Sequence, residues 1–507
     1  MSAVQGTGPA PPRLGVRWLA GHWLAGRWLT GQRALLGTTM SLLATTVVTA
    51  VLGLAFWWAA AHLFPLSQVG YGSAAVSALT LVGTFGMAGM NTVLIGHLAR
   101  SPQHANGLLM AAMYASGLIS ALLASGFWLV TAVILPDAAP YLHSGTDAVA
   151  FIAGSALTGA TLILDQALLG TVGGSLQLWR NTAFSVAKLV ALAGLAMLWH
   201  DQFGTSILVA WVAGTALSLV PVAVLLRRRG MRLAARPEWR LLRGLGRASL
   251  SNTWLNNMLQ APVLAMPMLV TGMLSAADGG AFYVASTVVM VVVLLPFHFT
   301  TALYAASAAD PRGLATKLRF SLRISVLAGL AGVPLVMVSA HLLLQLFGAG
   351  YAARAAVPLE LLVMGYFGSV LKNHYIALCR ISGRITQAGI YATVSTAARF
   401  GAAVAGAMAG GLVGLSIALL LVMTAEGIVV IPPVWAALNG RTSRPDRVQG
   451  PPRASSTEGS PNVGALSASC HDRPPGAAAI AVGLLHADPP RTRAGGPPGR
   501  ADQGEQP

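Results

Sequence analysis

The positive charges of this chain are sorted along its length in a way that only a membrane explains. About a dozen apolar stretches run from Leu36 to Ala437, and the basic residues fall in every second gap between them. Those gaps hold Arg100, Arg180, the cluster Arg227 to Arg247, Arg312 to Arg323, and Arg380 with Arg384. The alternate gaps hold Asp137, Asp147, Asp201 and Asp278, with Arg354 as their basic residue. Lys and Arg stay on the cytoplasmic side during insertion, so the alternation predicts topology and orientation together. The expectation is a multi-pass protein of the inner (cytoplasmic) membrane with both termini cytoplasmic.

Composition agrees. The chain is 55% hydrophobic and 9% charged, with a mean hydropathy of +0.66, against a charged fraction of about 25% in soluble domains. A net charge of +17 in a soluble chain would point to nucleic acid. Here the arginines lie at helix ends and in the tails, where membrane lipids with anionic headgroups are the expected partner, and no nucleic acid is expected. Cys379 and Cys470 have neither metal-ligand spacing nor a disulfide framework.

A span needs about 20 apolar residues. Twelve are placed, at 36–63, 71–97, 108–135, 148–171, 181–199 and 204–226, then 248–273, 280–303, 318–341, 356–378, 384–408 and 411–437. The predicted fold is therefore an all-α membrane protein of about twelve transmembrane helices. Five regions follow: a basic, aromatic N-terminal segment (1–35), an N-lobe of six spans (36–226), a basic cytoplasmic linker (227–247), a C-lobe of six spans (248–438) and a disordered cytoplasmic tail (439–507). The N-terminal segment repeats Arg17-Trp18-Leu19-Ala20-Gly21 twice more in altered form. A period of five keeps no helical face. The tail is too rich in Pro, Gly, Ser and Arg to fold alone.

The two sets of six look like copies. Leu66-Ser67, then Gly70-Tyr71-Gly72, joins spans one and two, while Leu274-Ser275, then Gly279-Gly280, joins spans seven and eight. Six spans per set make the repeat parallel, which predicts a central cavity at the interface of two lobes.

Ionisable groups inside hydrocarbon need a reason to be there. Asp165 and Lys188 are placed at similar depth in spans four and five. They are expected either to pair across the two helices or to face substrate or a coupled proton. Glu426, mid-way along span twelve, is a candidate proton or sodium site or a satisfied structural acid, and Arg399 in span eleven reaches it only by stretching. Glu360 is expected to pair with Arg354 or reach water. In span seven, Ser249, Asn252, Asn256 and Gln260 share one helical face, widened by Thr253 and Asn257. Pro262 and Pro267 follow and are expected to kink that helix or open its backbone bonding. Asn91, His298 and the Thr and Ser residues of spans one, two and eight complete a polar lining. The hydroxyls are expected to bond their own helices. No catalytic or metal-ligand constellation is legible in the loops, so an enzyme is not expected, nor a cofactor.

Two segments then resemble a known family. One is the opening from Arg33 through spans one and two, with Leu66-Ser67-Gln68-Val69-Gly70-Tyr71-Gly72 between them. The other is Leu346-Phe347-Gly348-Ala349-Gly350-Tyr351 followed by Leu359-Glu360-Leu361-Leu362. Over residues 33 to 438 the chain resembles the oligosaccharide flippases, or polysaccharide biosynthesis (Wzx-like) proteins. These belong to the multidrug/oligosaccharidyl-lipid/polysaccharide (MOP) superfamily, which also holds the multidrug and toxic-compound extrusion (MATE) transporters. The resemblance implies a MATE-like pair of six-helix lobes working by alternating access. It implies a lipid-linked glycan as cargo, coupling to H+ or Na+, and polysaccharide assembly machinery as a partner. It also implies a cationic cavity lining, for which Lys188 and Arg399 are the in-span candidates. Asn252, Asn256, Gln260 and Asn91 are the polar candidates, and Glu426 and Asp165 the coupling candidates. The alternative is a cation-coupled drug or metabolite antiporter of the same fold.

Overall fold

The computed structural model describes residues 48–90, 94, 105–134, 139–142, 144–171, 174–198, 204–228, 236–240, 246–309 and 313–441. Residues 1–47, 442–507 and Asn91, with the N-terminal repeat and Cys470, lie outside them. The first half contains α1 (Val48–Leu63), α2 (Leu66–Gly86), α3 (Ala105–Ile134), α4 (Gly145–Thr171), α5 (Gly174–Leu198) and α6 (Thr205–Arg228). The second half contains α7 (Gly246–Met273), α8 (Ala276–Ala309), α9 (Leu314–Gln345), α10 (Ala349–Met364), α11 (Tyr366–Ile381), α12 (Ile385–Val429) and α13 (Ile431–Leu438). No strand occurs among the described residues. Large apolar side chains such as Leu122, Val133, Met197 and Val338 point outward, as expected where hydrocarbon replaces water as the solvent.

Local chemistry sets the boundaries. Pro65, which has no N–H to continue α1, sits at the N-cap of α2. Ser144 and Asp147 cap α4 reciprocally, the Asp147 N–H donating to Ser144 Oγ at 3.0 Å and Ser144 Oγ to the carboxylate at 2.6 Å. Ser275 and Asp278 repeat this arrangement at α8. Thr205 Oγ1 also donates to Asp147, at 2.5 Å. Burial raises the phenol of Tyr141, in the 3₁₀ turn Pro140–Leu142 between α3 and α4, above its ordinary value.

Several expectations about the spans change. Span ten is two helices, α10 and α11, bent by 42° at Gly365, which packs against Met423. The boundary between spans eleven and twelve stays where it was placed: α12 consists of two helical legs that meet at Gly410 and Gly411. Gly411 has φ 60° and ψ −140°, a combination open only to glycine. The chain reverses there, so that the first leg (385–409) lies against the second (412–429), and a Cβ on Gly406 would meet the Gly414 carbonyl at 2.5 Å. α7 carries both Pro262 and Pro267 inside one helix. α5 begins at Gly174, seven residues before its predicted start.

Helices in lipid gain little from apolar burial against each other, so close backbone approach and small residues decide their packing. α2 shows this, burying Gly70, Gly72, Ser73, Ala74, Ala75, Ala78, Gly83 and Gly86. At Gly70 it crosses α8 so closely that a Cβ there would overlap the Ala276 carbonyl, with Gly280 N at 3.0 Å. These are the glycines of the two repeated motifs. One apolar core gathers Phe56, Leu79, Phe151 and Ile207 of the first half with Val284, Leu344, Tyr351 and Leu359 of the second. It is built around the end where α1 turns into α2 and α7 into α8. Towards the opposite end the cores are separate, Leu109, Leu164, Leu168 and Val222 in the first half and Leu255, Leu318, Ile376 and Val434 in the second.

Candidate functional site

Lys188 lies midway along α5, and its side chain is buried in the first half. Phe184, one turn earlier on the same face, supplies one ring, α1 supplies Phe56 and α6 supplies Trp211. The ammonium Nζ stands 4.7 Å from the Phe56 ring centre, 4.5 Å from Phe184 and 4.1 Å from Trp211. No carboxylate of the described residues pairs with it. Three ring faces supply partial negative charge to an ammonium at these distances, on the order of 2 kcal/mol each when water is excluded. The box continues to the second half: Trp57 lies 6.3 Å from Trp211 and 4.4 Å from Tyr283 of α8.

The expected Asp165–Lys188 pair is therefore corrected. Asp165 binds Arg180 Nη2 at 2.5 Å, and the same nitrogen donates to Asn181 Oδ1 at 2.8 Å. The reason is geometric: Asp165 lies six residues before the end of α4 at Thr171 and Arg180 six after the start of α5 at Gly174, whereas Lys188 lies two helical turns deeper. Asp165 Oδ1 is buried with no hydrogen-bond partner among the described residues.

The second half holds the opposite arrangement. Glu426 on the second leg of α12 accepts from Arg399 Nε at 2.8 Å and Nη2 at 2.6 Å, from Lys372 Nζ at 3.0 Å and from Ser395 Oγ at 2.5 Å. Tyr391 donates to the Glu426 backbone carbonyl at 2.9 Å. Ser395 is level with Glu426 across the Gly410–Gly411 reversal. Arg399 is four residues nearer the turn, roughly 6 Å of helix rise, and its long side chain covers that difference. Arg399 on the first leg of α12 and Lys188 on α5 stand at the same distance from their helix starts. One cation of this symmetric pair is thus held by a carboxylate, the other by rings.

Of the span-seven stripe, Asn252 and Asn256 are half-buried, Gln260 is exposed, and Thr253 and Asn257 are buried. Asn256 Oδ1 accepts from Arg380 Nη2 at 2.7 Å. Arg354 pairs with Asp278 at 3.0 Å instead of Glu360. Thr80, Thr84, Thr300 and Thr301 bond carbonyls of their own helices, as expected. His298 is half-buried, with Nε2 unpartnered among the described residues. No group of three or more His, Cys, Asp or Glu residues suited to a metal occurs among the described residues.

The sequence reading missed Lys372 and Ser395 as partners of Glu426, and the aromatic box. Phe184 and Lys188 are visibly one turn apart on a helix. Phe56 and Trp211 reach the same point only through the tertiary fold.

The fold matches those of solved membrane transporters. An inward-facing multidrug resistance MATE family transporter of the MOP superfamily aligns with a TM-score of 0.59 at 15% identity, over 78% of this chain and 95% of that one. The lipid II flippase MurJ, in an inward closed conformation, aligns with a TM-score of 0.59 at 12% identity, over 78% and 87%. An outward-facing MATE family transporter of the MOP superfamily aligns at 0.52 and 15%, over 80% and 95%. No protein-family profile matches the chain, and no characterised protein matches it in sequence. The chain is a polytopic all-α membrane protein with the MATE-like fold shared by these MOP-superfamily proteins.

Proposed function

We propose that the chain is a flippase. It moves a lipid-linked oligosaccharide or polysaccharide precursor from the cytoplasmic to the outer leaflet by alternating access of its two lobes, with both termini cytoplasmic. The observation that carries this reading is Lys188: a buried ammonium held by Phe56, Phe184 and Trp211 with no carboxylate among the described residues. Ring faces stabilise the charge without neutralising it, which leaves it available to the anionic linkage of a lipid-linked sugar. Asn252, Asn256 and Gln260 supply amides for sugar hydroxyls on α7, which packs against α2 at the junction of the halves. The Glu426 cluster, with both carboxylate oxygens occupied, serves as structure. Coupling to H+ or Na+ then falls to Asp165, whose Oδ1 is unpartnered among the described residues. A cation-coupled drug antiporter is the second reading, supported by the fold of the multidrug transporters. Against it, Lys188 already fills the aromatic enclosure that a cationic drug would need.

The test is the leaflet distribution of lipid-linked glycan in cells lacking the protein, read with a membrane-impermeant sugar-modifying reagent. Glycan is expected to be trapped on the cytoplasmic side, released by the wild-type chain, and trapped again with Lys188→Met despite normal insertion. An unchanged distribution together with greater sensitivity to cationic drugs would move the assignment to the antiporter.

A further inference from the structure

At the end of the bundle opposite the α1–α2 turn, a cavity of about 120 Å³ opens between the α11–α12 turn and α13. Its polar wall is Ser382, Arg384 and Arg441, and its apolar wall includes Pro433, Ala436 and Ala437. Both arginines are exposed, and no carboxylate among the described residues pairs with either. Of the acids described in the second half, Asp278 is paired with Arg354 at the other end and Glu426 is enclosed in its own cluster. Glu360 sits in α10, on a helix that does not line the cavity. Arg384 is also the N-cap residue of α12, so the free N–H groups of that helix's first turn add to the positive potential. The walls are fixed in place: Arg319 of α9 donates to the Leu438 carbonyl at 2.7 Å, and the Arg441 N–H donates to Ala436 at 2.9 Å.

We propose that this cavity binds the phosphate of an anionic phospholipid headgroup, held by Arg384, Arg441 and Ser382. Two arginines lining a cavity of this size supply the guanidinium forks by which arginine takes phosphate oxygens. A lipid is the source rather than free phosphate because Trp435, on α13 beside the cavity, is exposed, and exposed Trp at a helix end marks the headgroup level. The site lies outside the Lys188 box and does not depend on what the protein transports.

Native mass spectrometry of the detergent-purified full-length chain, titrated with phosphatidylglycerol or phosphatidylcholine, tests the assignment. The tightest phosphatidylglycerol site is expected to weaken about tenfold in Arg384→Gln/Arg441→Gln and to be unchanged in Arg323→Gln. Ala436→Trp fills the cavity from its apolar wall with the charges kept, and is expected to produce the same loss. Size-exclusion profiles identify any variant that fails to fold, and the remaining variant then carries the test. Unaltered phosphatidylglycerol binding in a folded double variant and in Ala436→Trp overturns the site. Saturable binding of inorganic phosphate, with no preference for phosphatidylglycerol over phosphatidylcholine, overturns the lipid assignment.

Discussion

Replacing Glu426 with Gln tests whether the ionic cluster of the second half is a structural clamp or a coupling site. Glu426 is 6% exposed and takes four hydrogen bonds, three of them from the cations Arg399 and Lys372. The amide keeps the shape but removes the negative charge, and it turns an N–H towards donors that need an acceptor. Two buried cations are then uncompensated. Breaking a buried pair by removing one partner costs about 3–5 kcal/mol. The clamp reading therefore expects Glu426→Gln to lower unfolding free energy by that amount. Changing Glu426, Arg399 and Lys372 together to Met removes charge and counter-charge at once, and is expected to lie within about 1 kcal/mol of wild type or above it. The assay is reversible unfolding of the purified protein in mixed detergent micelles with increasing dodecyl sulfate. Single and double variants at Glu426 and Arg399 form a cycle whose coupling energy should be about 2 kcal/mol or more. Wild-type stability in Glu426→Gln, with transport intact but no longer gradient-dependent, would refute the reasoning and make Glu426 the coupling acid.

Gly70→Leu places a side chain against the Ala276 backbone, where no rotamer change gives relief. It should separate α2 from α8 and speed maleimide labelling of a cysteine placed at the buried Ala281, in a chain with Cys379 and Cys470 removed. Unchanged labelling would show that the Gly70–Ala276 crossing does not hold the lobes together. Asp165→Asn mimics the protonated acid while Arg180 keeps Asn181 as a partner. Transport is expected to persist but to lose its response to an imposed proton or sodium gradient, and a full response in this variant would exclude Asp165 from coupling.

The span layout was legible in the sequence because hydrocarbon imposes the same requirement on every segment that crosses it. α2, α4 and α8 start at 66, 145 and 276 where spans two, four and eight were placed to start at 71, 148 and 280, because Pro65 and the Ser144–Asp147 and Ser275–Asp278 caps set those starts. Where the signal is a missing side chain, the reading was uneven. The reversal between spans eleven and twelve was placed where the structure has it, at Gly410-Gly411, but Gly365 in an apolar run gives no sign of the 42° bend between α10 and α11.

The candidate site divides along the same line. Sequence alone placed Asp165, Lys188, Arg399 and Glu426 within the spans, because each stands out against an apolar background, but it passed over Lys372 and set Arg180 in a gap. Only the tertiary structure decided their partners, because depth along a helix depends on where the turns fall and on how far a side chain reaches. A seven-residue error in the start of α5 was enough to replace Arg180 with Lys188 opposite Asp165. The reach of Arg399 closed an axial gap that helix rise alone would leave open. The box around Lys188 draws on α1, α5 and α6. Residues so far apart in the chain meet only through the packing of whole helices, so no local pattern records which of two symmetric cations goes without a carboxylate.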